Sequence, residues 1–159
     1  MNVEDLTKLM NQMKAGTVPS RLVFIWTGPT NQLEDILQGV EIHQCDMAEC
    51  DENDGNKIVE PQQFLEKKMK TVCKDYNEQR NEPSVLVMKN AILLIRYGCD
   101  LSAVFQYGIS PRSAVIFLMP MESHRHLPAK TDGWVKRNTR ELITQMARQL
   151  GMPNCIIDI

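Results

Sequence analysis

The sequence predicts an α/β fold, with a mostly parallel sheet of about four to five strands and helices on both faces. Continuous apolar runs at residues 21–27, 84–88 and 113–120 are typical of strands that are buried on both faces. Segments with helical spacing of apolar residues separate these runs. Alternation of such strands with helices is the pattern of a three-layer parallel sheet.

The first half of the chain alternates helix and strand. Apolar residues in the first thirteen-residue segment recur at helical spacing, and Gly16 follows it as a C-terminal cap. Gly39 ends the second, shorter helix. The predicted elements are a helix at 3–15, a strand at 21–27, a helix at 32–38, a strand at 40–47, an acidic turn-rich loop at 48–61 and a helix at 61–80.

The second half repeats this alternation. Two short helical turns separated by Gly98 join the second buried strand to the third. A long helix then carries an apolar stripe that includes Ile143, Met146 and Leu150. The predicted elements are a strand at 84–88, helical turns at 91–98 and 100–108, a strand at 113–120, a loop at 121–133, a helix at 134–151 and a strand at 155–159.

Length and composition predict a single domain over residues 1–159. The net charge of −2 provides no general attraction for nucleic acid or membranes. The apolar runs fall far short of the roughly 20 residues that span a bilayer. The start of the chain lacks the features of a secretion signal. We therefore expect a cytoplasmic protein without a membrane partner. Five scattered cysteines do not indicate a disulfide framework.

Two loops of the predicted sheet are the best candidates for a functional site. Ligands of parallel α/β sheets bind beyond the carboxyl ends of the strands. The relevant loops therefore follow Thr27 and Met88. The first lies within "RLVFIWTGPTNQLEDIL", residues 21–37, where a strand ends in a glycine-containing turn and a helix follows. This order of elements is also that of a phosphate-binding P-loop.

The chemistry of a working P-loop is absent from the first loop. A P-loop needs a lysine for the terminal phosphates and a Ser or Thr hydroxyl for magnesium. The segment provides Gly28 and Thr30 but no lysine, and Glu34 and Asp35 follow closely. We interpret Gly28 and Thr30 as a remnant phosphate loop. ATP binding remains an alternative that these residues do not favour, and we expect no cofactor.

The second loop lacks the acidic residue that helps to hold magnesium in P-loop enzymes. Lys89 and Asn90 stand at the end of this strand. We expect this strand to lie next to the strand at 21–27, so matching positions on two neighbouring strands lack the catalytic residue. The other interpretation is that the chain was never a phosphate-binding protein, since strand–glycine–helix units are common in α/β proteins.

The stretch "VLVMKNAILLI", residues 85–95, and the order of elements resemble the small P-loop-like protein of bacterial BREX phage-defence systems. In that family a strand ends in Asp-Asn, followed by an apolar turn. Asn90 stands at the position of the family asparagine, and Lys89 replaces its aspartate. The layout of residues 100–120 is similar too. The resemblance implies a P-loop-like fold in a defence assembly, and it transfers no catalytic residue.

Other side chains were considered as metal ligands or catalytic groups. His43, Cys45 and Cys50 do not have the spacing of a zinc site. His124 and His126 accompany Glu122 in a predicted solvated loop, without a nucleophile nearby in sequence. We predict no metal site.

Basic residues gather near the C-terminal end of the chain. Lys136, Arg137 and Arg140, beside Trp134, are candidates for contacts with nucleic-acid phosphates. A solvated helix face is the alternative interpretation. Arg112 is a candidate to reach the nucleotide of a neighbouring subunit, as arginines do in oligomeric ATPases.

Three hypotheses follow from the sequence. The first is a non-catalytic P-loop-like scaffold that binds a larger protein subunit of a bacterial antiphage complex, or copies of itself. The second is a divergent NTPase or switch that binds nucleotide through Gly28 and Thr30. The third is a nucleic-acid-binding module that uses Lys136, Arg137 and Arg140. The absence of both the lysine and the acid favours the first.

Overall fold

A computed structural model describes residues 2–16, 22–49, 60–107, 112–121, 129–151 and 155–157, with the backbone alone for residues 129–132. The described elements, in chain order, are α1 (Val3–Ala15), β1 (Leu22–Trp26), α2 (Thr30–Ile36), β2 (Glu41–Asp46), α3 (Pro61–Gln79), β3 (Ser84–Lys89), α4 (Ile92–Arg96), α5 (Ser102–Tyr107), β4 (Ser113–Leu118), α6 (Ala129–Gln149) and β5 (Ile156–Ile157). The predicted order of strands and helices along the chain is confirmed.

All five described strands are parallel, in the order β2-β3-β4-β1-β5. β4 pairs with β1 from Leu22 opposite Ala114 to Trp26 opposite Leu118. The sequence interpretation treated the strand that ends at Met88 as the neighbour of β1, and this is wrong. β4 lies between β1 and β3, so the ends of β1 and β3 are separated by one strand.

Each face of the sheet is covered by helices, which confirms the three-layer architecture. α1 and α2 cover one face, where Trp26, Ile116 and Leu33 belong to the same buried cluster. The helices α3 to α6 cover the other face, where Phe117 and Met146 are fully buried. Side chains of successive strand residues point to opposite faces, so every residue of β1 and β4 is buried.

The ends of α1 show why this segment forms a helix. Asn2 and Asp5 form a reciprocal capping box at its start. Gly16 ends the helix in the left-handed conformation, with φ of 73°, and its N–H donates to the carbonyl of Met13. A side chain at this position would strain the backbone, which glycine avoids.

Two helix boundaries differ from the sequence prediction. α6 begins at Ala129, five residues before its predicted start, so the second part of the predicted loop at 121–133 is helical. Gly133 suggested a loop, but a glycine inside a helix costs only about 1 kcal/mol relative to alanine, which the long helix tolerates. α2 spans Thr30–Ile36 instead of residues 32–38, because it starts directly after Pro29.

The described cysteines are free thiols and lie within or beside the core. Burial raises the pKa of the Cys73 thiol to about 12 and that of the Cys45 thiol to about 11. Burial likewise raises the pKa of Cys99 and Cys155 to about 11. Thiols with such pKa values stay protonated at neutral pH and are poor nucleophiles. In the described part of the chain, no helix is both long and apolar enough to cross a membrane.

Candidate functional site

The topology creates a crevice between the carboxyl ends of β1 and β4. The chain leaves β1 through α2, on one face of the sheet, and leaves β4 through α6, on the other face. β1 and β4 are neighbours, so this is the point where the direction of the connections reverses. Parallel α/β sheets bind their ligands at such a point.

The connection from β1 to α2 contains only three residues, Thr27, Gly28 and Pro29. The P-loop pattern needs about eight residues, whose backbone N–H groups surround the phosphates. Proline has no N–H, so Pro29 contributes no donor. A connection this short cannot wrap around a polyphosphate in the manner of a P-loop.

Hydrogen bonds to neighbouring segments hold this connection in place. The indole Nε1 of Trp26 donates to the carbonyl of Pro29 at 3.0 Å. The hydroxyl of Thr27, which is buried, donates to the carbonyl of Ile157 at 2.8 Å. The carbonyls of Trp26 and Thr27 accept the N–H groups of Met119 and Met121. These bonds hold the turn against the segments that follow β4 and against β5.

The end of β3 carries a second cluster of polar side chains. Asn90 adopts the left-handed conformation, with φ of 55°. Its side-chain amide donates to Oδ1 of Asp46, at the end of β2, at 2.7 Å. This hydrogen bond, together with one from the Ala48 N–H, holds the pKa of Asp46 below its usual range. The carboxylate of Asp46 is therefore engaged with the protein itself.

We expect replacement of Asn90 by alanine to destabilise the fold by about 1–2 kcal/mol, because alanine loses the hydrogen bond to Asp46 and tolerates the left-handed region less well than asparagine does. Replacement by glycine removes the same hydrogen bond to Asp46, but glycine adopts the left-handed conformation without strain. The loss of stability should therefore be smaller. Urea unfolding of both variants measures the difference. Equal destabilisation of the two variants would show that the backbone conformation of Asn90 contributes nothing.

A cleft of about 410 Å³ opens at this crevice. Its described lining residues are Thr30, Lys89, Asn90, Ile92, Leu118, Met119, Pro120 and Thr139. Thr30, a predicted site residue, therefore lies beside Lys89 and Asn90 at one cleft, whereas Gly28 is not among its lining residues. The lining residues from the β4 end and from α6 were missed by the sequence interpretation. These residues could be found only from the order of strands in the sheet, which places β4 beside β1 and which the sequence does not contain.

The predicted nucleic-acid-binding residues lie on α6. Arg137 and Arg140 are exposed, and Lys136 is half-buried. Trp134 is 61% exposed, which is unusual for the largest apolar side chain. Trp134 and Arg137 are three residues apart and so lie on one side of the helix. Glu141 is also exposed, four residues beyond Arg137, so this side is not uniformly basic.

The other candidates do not join the cleft. Arg112 precedes β4, at the amino end of the strands, where its Nη2 donates to the carbonyl of Lys14 at 2.8 Å. His43 and Cys45 lie on the edge strand β2, and the imidazole of His43 contacts Glu41 and the ring of Tyr76. The described residues contain no cluster of three possible metal ligands. Cys50, Glu122, His124, Arg125 and His126 lie outside the described residues.

The fold places the protein in the α/β class. A five-stranded, all-parallel sheet with helices on both faces is consistent with a three-layer, P-loop-like fold. The crevice at the β1 and β4 ends carries no P-loop lysine, and a lysine stands at the end of β3. Comparison of the chain with family models, with curated proteins and with solved structures finds no match.

Proposed function

We propose that this protein is a non-catalytic, P-loop-like interaction subunit, which acts by binding another protein or a second copy of itself. Its resemblance over residues 85–95 suggests a bacterial antiphage assembly as the setting. The observation that carries the proposal is the three-residue connection between β1 and α2. It keeps the position of a phosphate loop but has neither the length nor the lysine of one.

The end of β3 supports the same conclusion independently. Phosphoryl transfer needs magnesium, and magnesium needs oxygen ligands such as carboxylates. The described residues that line the cleft include no carboxylate, and Lys89 places a positive charge there instead. A lysine at this position would repel the metal ion that a divergent NTPase would need.

The α6 surface is the best candidate for a contact with a partner protein. Trp134, at 61% exposure, and the exposed Arg137 share one side of this helix. Tryptophan and arginine are the residue types that contribute most to the affinity of protein interfaces. Burying the indole would provide about 1.5–3 kcal/mol or more of hydrophobic stabilisation. A defence subunit or a second copy of the chain could occupy this surface.

The experiment compares the wild-type chain with Trp134→Ala in two assays, light scattering over a concentration series and co-purification from source cells. We expect either self-association or one stoichiometric partner, weakened at least about tenfold by the substitution. Ile42→Ser, on the exposed side of β2, is a control that removes a different exposed apolar side chain. A wild-type chain that stays monomeric and co-purifies nothing would contradict the proposal.

Nucleic-acid binding is the second candidate, favoured by the exposure of Trp134 next to Arg137 and Arg140. Aromatic side chains stack on unpaired bases, and arginines neutralise phosphates. If this function holds, single-stranded DNA or RNA should bind with a steep dependence on salt. Replacing Lys136, Arg137 and Arg140 with glutamine should reduce both the affinity and the salt slope. A salt-independent signal, or none, would leave the protein interaction as the function of α6.

A further inference from the structure

The cleft between the ends of β1, β3 and β4 has the dimensions of a small-molecule site. Its volume of about 410 Å³ lies within the range of roughly 300–1,000 Å³ that ligand pockets occupy. It also lies at the reversal of the connections, where ligands of parallel α/β sheets bind. The proposed interaction function, which rests on the three-residue connection and the α6 surface, gives this cleft no role.

Lys89 is the only charged residue among the described residues that line the cleft. Within the described part of the chain, its amine makes neither a hydrogen bond nor an ion pair. The amine of Lys68, by contrast, donates to the carbonyls of Asp46 and Glu49. The charge of Lys89 helps to lower the pKa of Asp46. The carboxylate of Asp46, however, already accepts hydrogen bonds from the side chain of Asn90 and the N–H of Ala48. Among its described lining residues, the cleft therefore presents a single positive charge.

Uncharged polar groups surround this charge. The hydroxyl of Thr30 has no hydrogen-bond partner among the described residues, so it can both donate and accept. The hydroxyl of Thr139 donates to the carbonyl of Val135 at 2.9 Å and keeps its acceptor capacity. The side-chain amide of Asn90 donates one N–H to Asp46, so its second N–H is still a donor and its oxygen an acceptor.

The other described residues that line the cleft are apolar: Ile92, Leu118, Met119 and Pro120. Leu118 and Met119 are 5% and 2% exposed, so most of each side chain is packed in the core beneath the cleft. The thioether of methionine packs well against flat rings and irregular apolar groups. A ligand that fits has an apolar body and one negative charge.

We propose that this cleft binds a small organic carboxylate with an apolar body, whose charged group pairs with Lys89. A phosphate dianion fits less well, because one lysine would balance only part of its charge. The proposal is independent of the interaction function, since a chain that binds no partner can still bind the carboxylate. The two therefore fail separately.

The test uses the whole chain and three probes: sodium benzoate, the neutral benzamide of the same shape, and inorganic phosphate. Dissociation constants come from ¹H–¹⁵N chemical-shift titrations. We expect saturable binding of benzoate at or below about 10 mM, with shifts at Lys89, Asn90 and Thr139. Benzamide and phosphate should bind at least about tenfold more weakly, which corresponds to about 1.4 kcal/mol.

Substitutions of Lys89 test whether its positive charge binds the carboxylate. Lys89→Met keeps the aliphatic stem and should weaken benzoate about tenfold, whereas Lys89→Arg should keep most of the affinity. Lys70→Met removes an exposed lysine of α3 and should change nothing. Absence of saturable benzoate binding, equal binding of benzamide, preference for phosphate, or full affinity of folded Lys89→Met would each overturn the proposal. The comparison of probes on the wild-type chain decides the matter even if a variant does not fold.

Discussion

Replacing Phe117 with alanine is expected to lower the free energy of unfolding by about 3–5 kcal/mol. Phe117 is 0% exposed and lies in β4, which pairs with both β1 and β3. Its ring fills the larger buried cluster, between the sheet and the helices α3 to α6. The loss combines the missing transfer of the ring from water with the cavity that the rigid strand cannot close. Urea unfolding followed by circular dichroism measures it.

Phe105→Ala is the matched control for this substitution. Phe105 packs against the same cluster but is only partly buried, on the short helix α5. The same atoms are removed from a place where water and neighbouring side chains can fill the gap, so a smaller loss is expected. Equal losses of stability in the two variants would contradict the full burial of Phe117.

Replacing Trp26 with alanine is also expected to lower the free energy of unfolding by about 3–5 kcal/mol. Trp26 is 1% exposed, at the end of β1 and below α2. It contributes packing to the α1 and α2 face, and its Nε1 donates to the carbonyl of Pro29. Because this bond spans the connection from β1 to α2, the substitution also loosens that connection.

Two variants separate these contributions. Trp26→Phe keeps most of the packing and removes the donor to Pro29, so we expect a loss of about 0.5–1.5 kcal/mol for the hydrogen bond, with some further loss of packing. Trp134→Ala removes the same side chain from an exposed position and should change stability by no more than about 0.5 kcal/mol. A large effect of Trp134→Ala would mean that this indole serves the fold and not an interface.

The type and order of the elements could be predicted because they depend on local patterns. The apolar runs of β1, β3 and β4 are continuous, and each is buried along its length, apart from half-buried Lys89 at the end of β3. The helical stripe of α3 was also visible, with Leu65, Met69 and Cys73 all buried. These features are set by the spacing of apolar residues along the chain, which the sequence contains.

The order of the strands within the sheet could not be predicted, because pairing joins residues that are far apart in the chain. Nothing in residues 113–118 shows that β4 lies between β1 and β3. Met119 and Thr139 were missed as cleft residues for the same reason. Thr30 was identified because the position after a strand and a turn is a local feature, and Lys89 was identified as the residue in the place of an acid. The sequence thus placed these two residues at the carboxyl edge of the sheet, and their roles stay predictions.

The central claim is that the carboxyl edge of the sheet keeps the architecture of a phosphate site without its ability to bind Mg²⁺–ATP. Thermal unfolding with and without millimolar Mg²⁺–ATP tests this most directly, because a ligand that binds the folded state must stabilise it. We predict a change in Tm of less than about 1 °C, since a ligand that does not bind contributes no stabilisation. A rise of several degrees that depends on magnesium and is lost in Thr30→Val would contradict the claim and identify a divergent nucleotide-binding protein.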